Sequence, residues 1–175
     1  MIMQYFWLIL LITLFPLGGC QDSHQIEYRS CFAPTTNIIH ELSRQSFFDP
    51  TLMHEVARLE IESLNEIAEK DTNEALLSFQ IVFSALRSTT EPKKVNGNYF
   101  IAITDREGTP LLKQTFPLEI IFEGKKKYQR KVKEVTMPVP LAIINQCEKY
   151  QIFIGFDLKG HDLEYNLRRL ERKPS

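Results

Sequence analysis

The feature that most constrains this chain is a strict two-residue alternation between residues 77 and 85. Leu77, Phe79, Ile81, Phe83 and Ala85 fall on one phase, and Ser78, Gln80, Val82 and Ser84 on the other. Successive side chains of a strand point to opposite faces, so this pattern makes a strand with one buried face. Similar segments follow. Tyr99 to Thr104 is apolar on both phases, as a central strand would be. Asp105-Arg106-Glu107-Gly108 is a hairpin-turn signal leading into Leu111 and Leu112. Phe116, Leu118, Ile120 and Phe122 alternate again, and Pro117 among them points to an edge or a bulge. Gly124 opens another turn, Tyr128 to Met137 is a weaker strand, and Tyr150, Ile152, Ile154, Phe156 and Leu158 form a clear last one. Glu91-Pro92 and Asn96-Gly97 mark a turn region. Strands separated by turns roughly every ten residues predict a mainly β chain, an immunoglobulin- or fibronectin-like antiparallel β-sandwich. Leu141 followed by Tyr150 at the start of the last strand resembles the tyrosine-corner approach to a penultimate strand.

Three segments fall outside that pattern. Pro34-Thr35-Thr36-Asn37 offers capping residues before Ile38, Ile39, Leu42 and Phe47, which predicts a short amphipathic helix ended by Asp49-Pro50. Residues 53 to 69 read two ways. Val56, Leu59, Ser63, Leu64 and Ile67 lie at helical spacing, whereas Ala57, Leu59 and Ile61 alternate with Arg58, Glu60 and Glu62. Residues 161 to 172 read as a short C-terminal helix: Asp162 and Glu164 stand near its start, and Arg168, Arg169, Arg172 and Lys173 near its end, the order that suits the helix dipole.

The N-terminus carries an address. Met1 to Leu17 is almost wholly apolar, and residues 1 to 19 contain no Lys, Arg, Asp or Glu. Such a run is either a signal h-region or a membrane span. Leu17-Gly18-Gly19-Cys20 resembles the bacterial lipobox, in which small residues precede a Cys that is lipidated and becomes the mature N-terminus. The expected organisation is a lipoprotein signal peptide over 1–19, a tether over 20–34 and a single β-sandwich domain over 35–175. Lipidation of Cys20 with more than one acyl chain would hold firmly, since each buried CH₂ contributes about 0.8 kcal/mol. The expected location is the bacterial cell envelope, membrane-anchored and facing the periplasm. Gln21 stands where an Asp retains some lipoproteins in the inner membrane, and Asp22 follows it, so both membranes stay open as destinations.

With Cys20 set aside, Cys31 and Cys147 remain, an even count for a compartment that permits disulfides. They are either bonded, closing a long loop worth roughly 3–5 kcal/mol, or two separate buried thiols. No C-x-x-C exists, and His24, His40, His54 and His161 are scattered with no pair at ligand spacing, so no metal site is expected. There is no Gly-rich phosphate loop and no specific Ser/His/Asp set. Glu60 and Glu62 read as an outer strand face rather than a catalytic dyad. The chain is therefore not expected to be an enzyme or to need a cofactor. A net charge of −1 favours neither nucleic acid nor a bulk attraction to anionic membrane.

Ile152-Phe153-Ile154-Gly155-Phe156-Asp157-Leu158 and, after a spacer, Leu163-Glu164-Tyr165-Asn166-Leu167-Arg168-Arg169 resemble the end of a group of small uncharacterised alphaproteobacterial lipoproteins. Their pattern there runs V-G-F-x-L, then L-x-Y-N-x-R-R. Phe79 to Arg87 and Tyr99 to Asp105 resemble two further strands of that group, so the resemblance spans roughly residues 77 to 169. Cys31 matches an early Cys of the group. The group's second Cys, before Leu77, has no counterpart here, where Cys147 stands instead. The resemblance implies a strand over 57–67 and implies no activity.

Two surface features are candidates for recognition. Lys125, Lys126, Lys127, Arg130, Lys131 and Lys133 form a basic stretch. It is either a patch for phospholipid headgroups or an acidic partner, or a solvated hairpin whose lysines guard a sheet edge. Tyr165, Asn166, Arg168 and Arg169 either dock an envelope protein or pack and cap the C-terminal helix. The sequence thus points to a lipid-anchored binding or structural module of the envelope. The alternative is a carrier of an apolar ligand between the two sheets, motivated by Phe79, Phe83, Phe116, Phe122, Phe153 and Phe156.

Overall fold

A computed structural model describes residues 35–51, 54–70, 75–140, 143 and 150–171, with side chains left out at 66–70 and 75. In chain order it contains β1 (Thr35–Ile38), a 3₁₀ turn (His40–Leu42), β2 (Arg44–Phe48), β3 (Glu55–Lys70), β4 (Ala75–Arg87), β5 (Lys94–Asp105), β6 (Pro110–Ile121), β7 (Tyr128–Val139), β8 (Tyr150–Phe156) and α1 (His161–Glu171). The strands form two four-stranded sheets. One has the order β1-β8-β5-β6 and the other β2-β3-β4-β7. Every pairing is antiparallel except β1 with β8, which run parallel.

The order β3-β4-β7 facing β6-β5-β8 is that of a fibronectin-like sandwich without its last strand. β1 occupies the missing place, pairing Thr35 to Ile38 with Gln151 to Ile154. The chain then crosses to the other sheet through the 3₁₀ turn and enters β2. The same segment thereby closes one side of the sandwich, and α1 packs along β2 on that side. The opposite side is bordered by β6 and β7, the far strands of their sheets.

The alternation read from the sequence places the core. Leu77, Phe79, Ile81, Phe83 and Ala85 of β4 face Tyr99, Ile101 and Ile103 of β5 and Ile152, Ile154 and Phe156 of β8, all buried. Burying each such large side chain contributes roughly 1.5–3 kcal/mol. The Phe83 ring lies 4.8 Å from Tyr99 and 6.2 Å from Phe156, and Tyr99 stacks on Phe116 at 5.4 Å. These rings fill the space between the sheets at that level. Burial pushes the Tyr99 hydroxyl up to about 12. As expected, Tyr99 to Thr104 of β5 is buried on both faces and Gly108 sits in the 105–108 turn at φ +86°. Pro117 lies on an edge strand, and residues 161–171 form a helix.

Of residues 53 to 69, open between helix and strand, 55 to 69 belong to β3, with Ala57, Leu59 and Ile61 on the buried face. A bulge between Ile61 and Ser63 resets the register, so that Leu64 pairs with Ile81. This is why helical and strand spacing were both legible there.

Two expectations are corrected. The segment 35–47 is not a helix but β1, a 3₁₀ turn and β2. Its backbone groups pair with two different sheets, and that pairing overrides a weak local helical pattern. Asn96-Gly97 is not a turn but lies inside β5, where Gly97 pairs with Leu118. A Cβ on Gly97 would fall 2.4 Å from the Gln45 Oε1 and 3.0 Å from the Leu59 Cδ1. The glycine serves close approach of the two sheets rather than a change of direction.

Candidate functional site

α1 carries the four residues expected to recognise a partner, and the structure divides them. Asn166 is buried, and its amide donates to the carbonyls of Glu41 at 2.8 Å and Arg44 at 2.7 Å. The Tyr165 ring meets Phe48 edge-on at 4.9 Å, and Phe48 also takes His161 edge-on at 5.7 Å. Tyr165 and Asn166 thus fasten α1 to β2 and the 3₁₀ turn. Arg168 is exposed and pairs with Glu164 one turn back at 3.3 Å. Arg169 is exposed and lines a surface cleft of about 230 Å³ together with His40, Arg44, Glu60 and Glu62. Of the four, the two arginines are the exposed ones, Tyr165 is half-buried, and Arg169 faces this cleft.

Glu60 and Glu62 stand on the outer face of their sheet in separate ion-pair networks. Arg44 pairs with Glu55 and with Glu60 at 3.6 Å, and Arg58 reaches Glu60 at 3.2 Å and Glu55 at 3.8 Å. Glu62 reaches across β4 to β7. It accepts from the Tyr128 hydroxyl at 2.8 Å and from the Arg130 Nε at 3.1 Å. Small Ser84, paired with Arg130 in the ladder between them, leaves room for the crossing. Burial alone would raise the Glu62 carboxyl, but the hydrogen bonds from Tyr128, Ser84 and Arg130 and the Arg130 charge outweigh it, so its pKa is lowered.

The basic stretch spans the β6–β7 turn and the first half of β7, the edge strand of its sheet. Lys126 pairs with Glu123 at 2.6 Å, and Lys94 with Glu119 at 2.8 Å. Both glutamates are held below the ordinary carboxylate range, first by those hydrogen bonds and then by the lysine charges. Lys131 and Lys133 alternate with the outward Tyr128, Arg130 and Val132. They share the phase of buried Met137 and Val139. Half-buried, they run their aliphatic stems past the margin of the core, and the Lys131 ammonium donates to the Glu119 carbonyl at 2.7 Å. Inward-pointing lysines on an edge strand are a known guard against strand pairing.

One residue was missed by the sequence reading. Arg87 is 1% exposed. Its guanidinium donates to four carbonyls, those of Lys126 (3.0 Å), Pro92 (3.0 Å), Gly124 (2.6 Å) and Thr90. It also lies 4.5 Å from the centre of the Phe122 ring. It ties the loop after β4, with its cis Glu91-Pro92 bond, to the turn before β7. The signal was available, because Arg87 continues the apolar phase of Phe83 and Ala85.

Beside that loop lies an open cleft of about 620 Å³ lined by Phe47, Phe48, Val56, Pro92 and Val95 with Asp49 and Lys94. Among the described residues no group of three or more His, Cys, Asp or Glu is placed to hold a metal ion. The lipidation candidate Cys20 and the disulfide candidates Cys31 and Cys147 lie outside the described residues, as does Leu141.

No family model and no curated protein matches the chain. Among solved structures, the Streptococcus agalactiae AgI/II polypeptide BspA variable (V) domain aligns at 11% identity over 67% of this chain and 72% of that one, with a TM-score of 0.17. At that score nothing is carried over from it.

Proposed function

We propose that this chain is a lipid-anchored envelope module that works by binding a protein partner, with the acyl chains on Cys20 holding it to a membrane. The observation that carries the reading is the run Leu17-Gly18-Gly19-Cys20 directly after an apolar segment, with the first of the described strands beginning at Thr35. The folded body would then sit close to its lipid. Because β1 runs parallel to β8, the chain enters the sandwich at the end that holds the 105–109 turn. The Lys125–Lys127 turn stands at the other end, beside the loop after β4.

Packing favours a binding surface on the outside over a ligand between the sheets. A carried lipid would have to displace Phe79, Phe83, Tyr99 and Phe156, each 0–1% exposed. The test is the mass of the N-terminal peptide after expression in a bacterium. A diacylglyceryl Cys20 peptide lacking residues 1 to 19 is expected. An intact, unmodified N-terminus would make residues 1 to 17 a membrane anchor and overturn the lipoprotein reading.

A further inference from the structure

We propose that the free edge of β7 accepts an extended partner segment as an added strand, and that the segment alternates acidic and apolar side chains. The inference names the partner chemistry for the binding role proposed above, and rests on that reading. Strand addition needs a long edge with its backbone donors intact. Among the described residues, β1 offers four residues, and β2 lies under α1, with its Arg44 carbonyl already taken by Asn166. β6 carries Pro110 and Pro117, which lack the N–H a ladder requires. β7 runs without proline from Tyr128 to Met137 and ends its sheet.

The two faces of that edge specify different neighbours. Lys131 and Lys133 occupy one phase, and neither pairs with a carboxylate among the ion pairs of the described residues. Lys125 and Lys127 on the adjoining turn extend the same charge. The other phase carries Tyr128, Arg130, Val132 and Glu134. Arg130 is engaged by Glu62 and Glu134 by Gln80 within the sheet, which leaves Tyr128 and Val132, each 50% exposed, with Leu86 of β4 beside Tyr128 at 36%. Side chains opposite one another on adjacent strands interact directly, and like charges there repel. A second copy of β7 would set lysine against lysine, so the edge refuses its own kind. A strand with Glu or Asp on one phase and Val or Ile on the other would neutralise Lys131 and Lys133 and cover Tyr128 and Val132. The lysines that guard the edge thus select what joins it.

The test uses the full chain in neutral detergent micelles and three labelled peptides of about ten residues. One alternates Glu and Val, one alternates Lys and Val, and one has the first composition with its alternation broken. Fluorescence anisotropy reads affinity, and hydrogen exchange reads protection of β7 amides. The alternating Glu/Val peptide is expected to bind and protect β7. Lys131→Glu with Lys133→Glu is expected to weaken it about tenfold or more and to shift preference to the Lys/Val peptide. Lys131→Gln with Lys133→Gln, a milder change, is expected to weaken the first without recruiting the second. The proposal is overturned if the Glu/Val peptide does not bind, if the broken pattern binds as well, or if neither double variant changes its affinity. It is also overturned if phosphatidylglycerol vesicles bind in a lysine-dependent way while the peptides do not, which would assign the lysines to headgroups. Peptide binding needs no lipid on Cys20, so its failure is distinguishable from failure of the N-terminal mass test.

Discussion

Arg87 is a buried charge that makes no ion pair with a carboxylate among the described residues. Its delocalised guanidinium spreads donors over four carbonyls in two loops. Arg87→Met is expected to lower stability by about 3–5 kcal/mol, because those acceptors lose their donors in a site water reaches poorly. Arg87→Lys should recover little of it, since a point charge cannot serve four directions. A shift in urea midpoint of under 1 kcal/mol equivalent for Arg87→Met would show that the clasp contributes little. At Gly155 the constraint is space: an added Cβ would fall 2.7 Å from the Leu42 Cβ. The 3₁₀ turn rests against β8 at this point. Gly155→Ala should therefore cost roughly 1–3 kcal/mol in the same assay, by pushing that turn outward.

At the scale of elements, α1 is held by the buried Asn166 amide and by the edge-on contacts of Tyr165 and His161 with Phe48. Asn166→Ala strands the carbonyls of Glu41 and Arg44, and is expected to raise hydrogen exchange in α1 well before the sheets open. Uniform exchange across α1 and the sheets would mean that the helix unfolds only with the whole. β3 and β7 are linked over β4 by Glu62. Its folded pKa lies below the ordinary value of 4.5. The ionised form therefore contributes stability above that value, and the contribution is lost as pH falls through the folded pKa. Glu62→Gln should flatten the acid limb of a stability-against-pH curve below pH 4.5, with little change in its slope at neutral pH. An unchanged acid limb would place the acid sensitivity in other carboxylates.

For the whole molecule, the two sides of the sandwich are treated differently. One is closed by the 3₁₀ turn and α1. The other ends in β6, blocked by proline, and β7, guarded by lysine. Replacing Lys131 and Lys133 with Val should leave the monomer folded and make it self-associate through β7, detectable by sedimentation velocity; a strictly monomeric variant would show that the guard lies elsewhere. Local pattern alone determined the strands from Leu77 onward, the 105–108 turn, the C-terminal helix and the sandwich class, because a period of two and a turn signal are properties of neighbouring residues. It also held the clue to Arg87, a charge on the apolar phase. It misread residues 35–47 and Asn96-Gly97, and left 53–69 open, because their states depend on partners far along the chain: β8 and β3 for the first, the approach of Gln45 and Leu59 for the second, a bulge against β4 for the third. Of the candidate residues, the sequence picked out Tyr165, Asn166, Arg168 and Arg169 as a set. Only packing could separate the two that fasten the helix from the two left in solvent, because burial is decided by what the rest of the chain brings against a face.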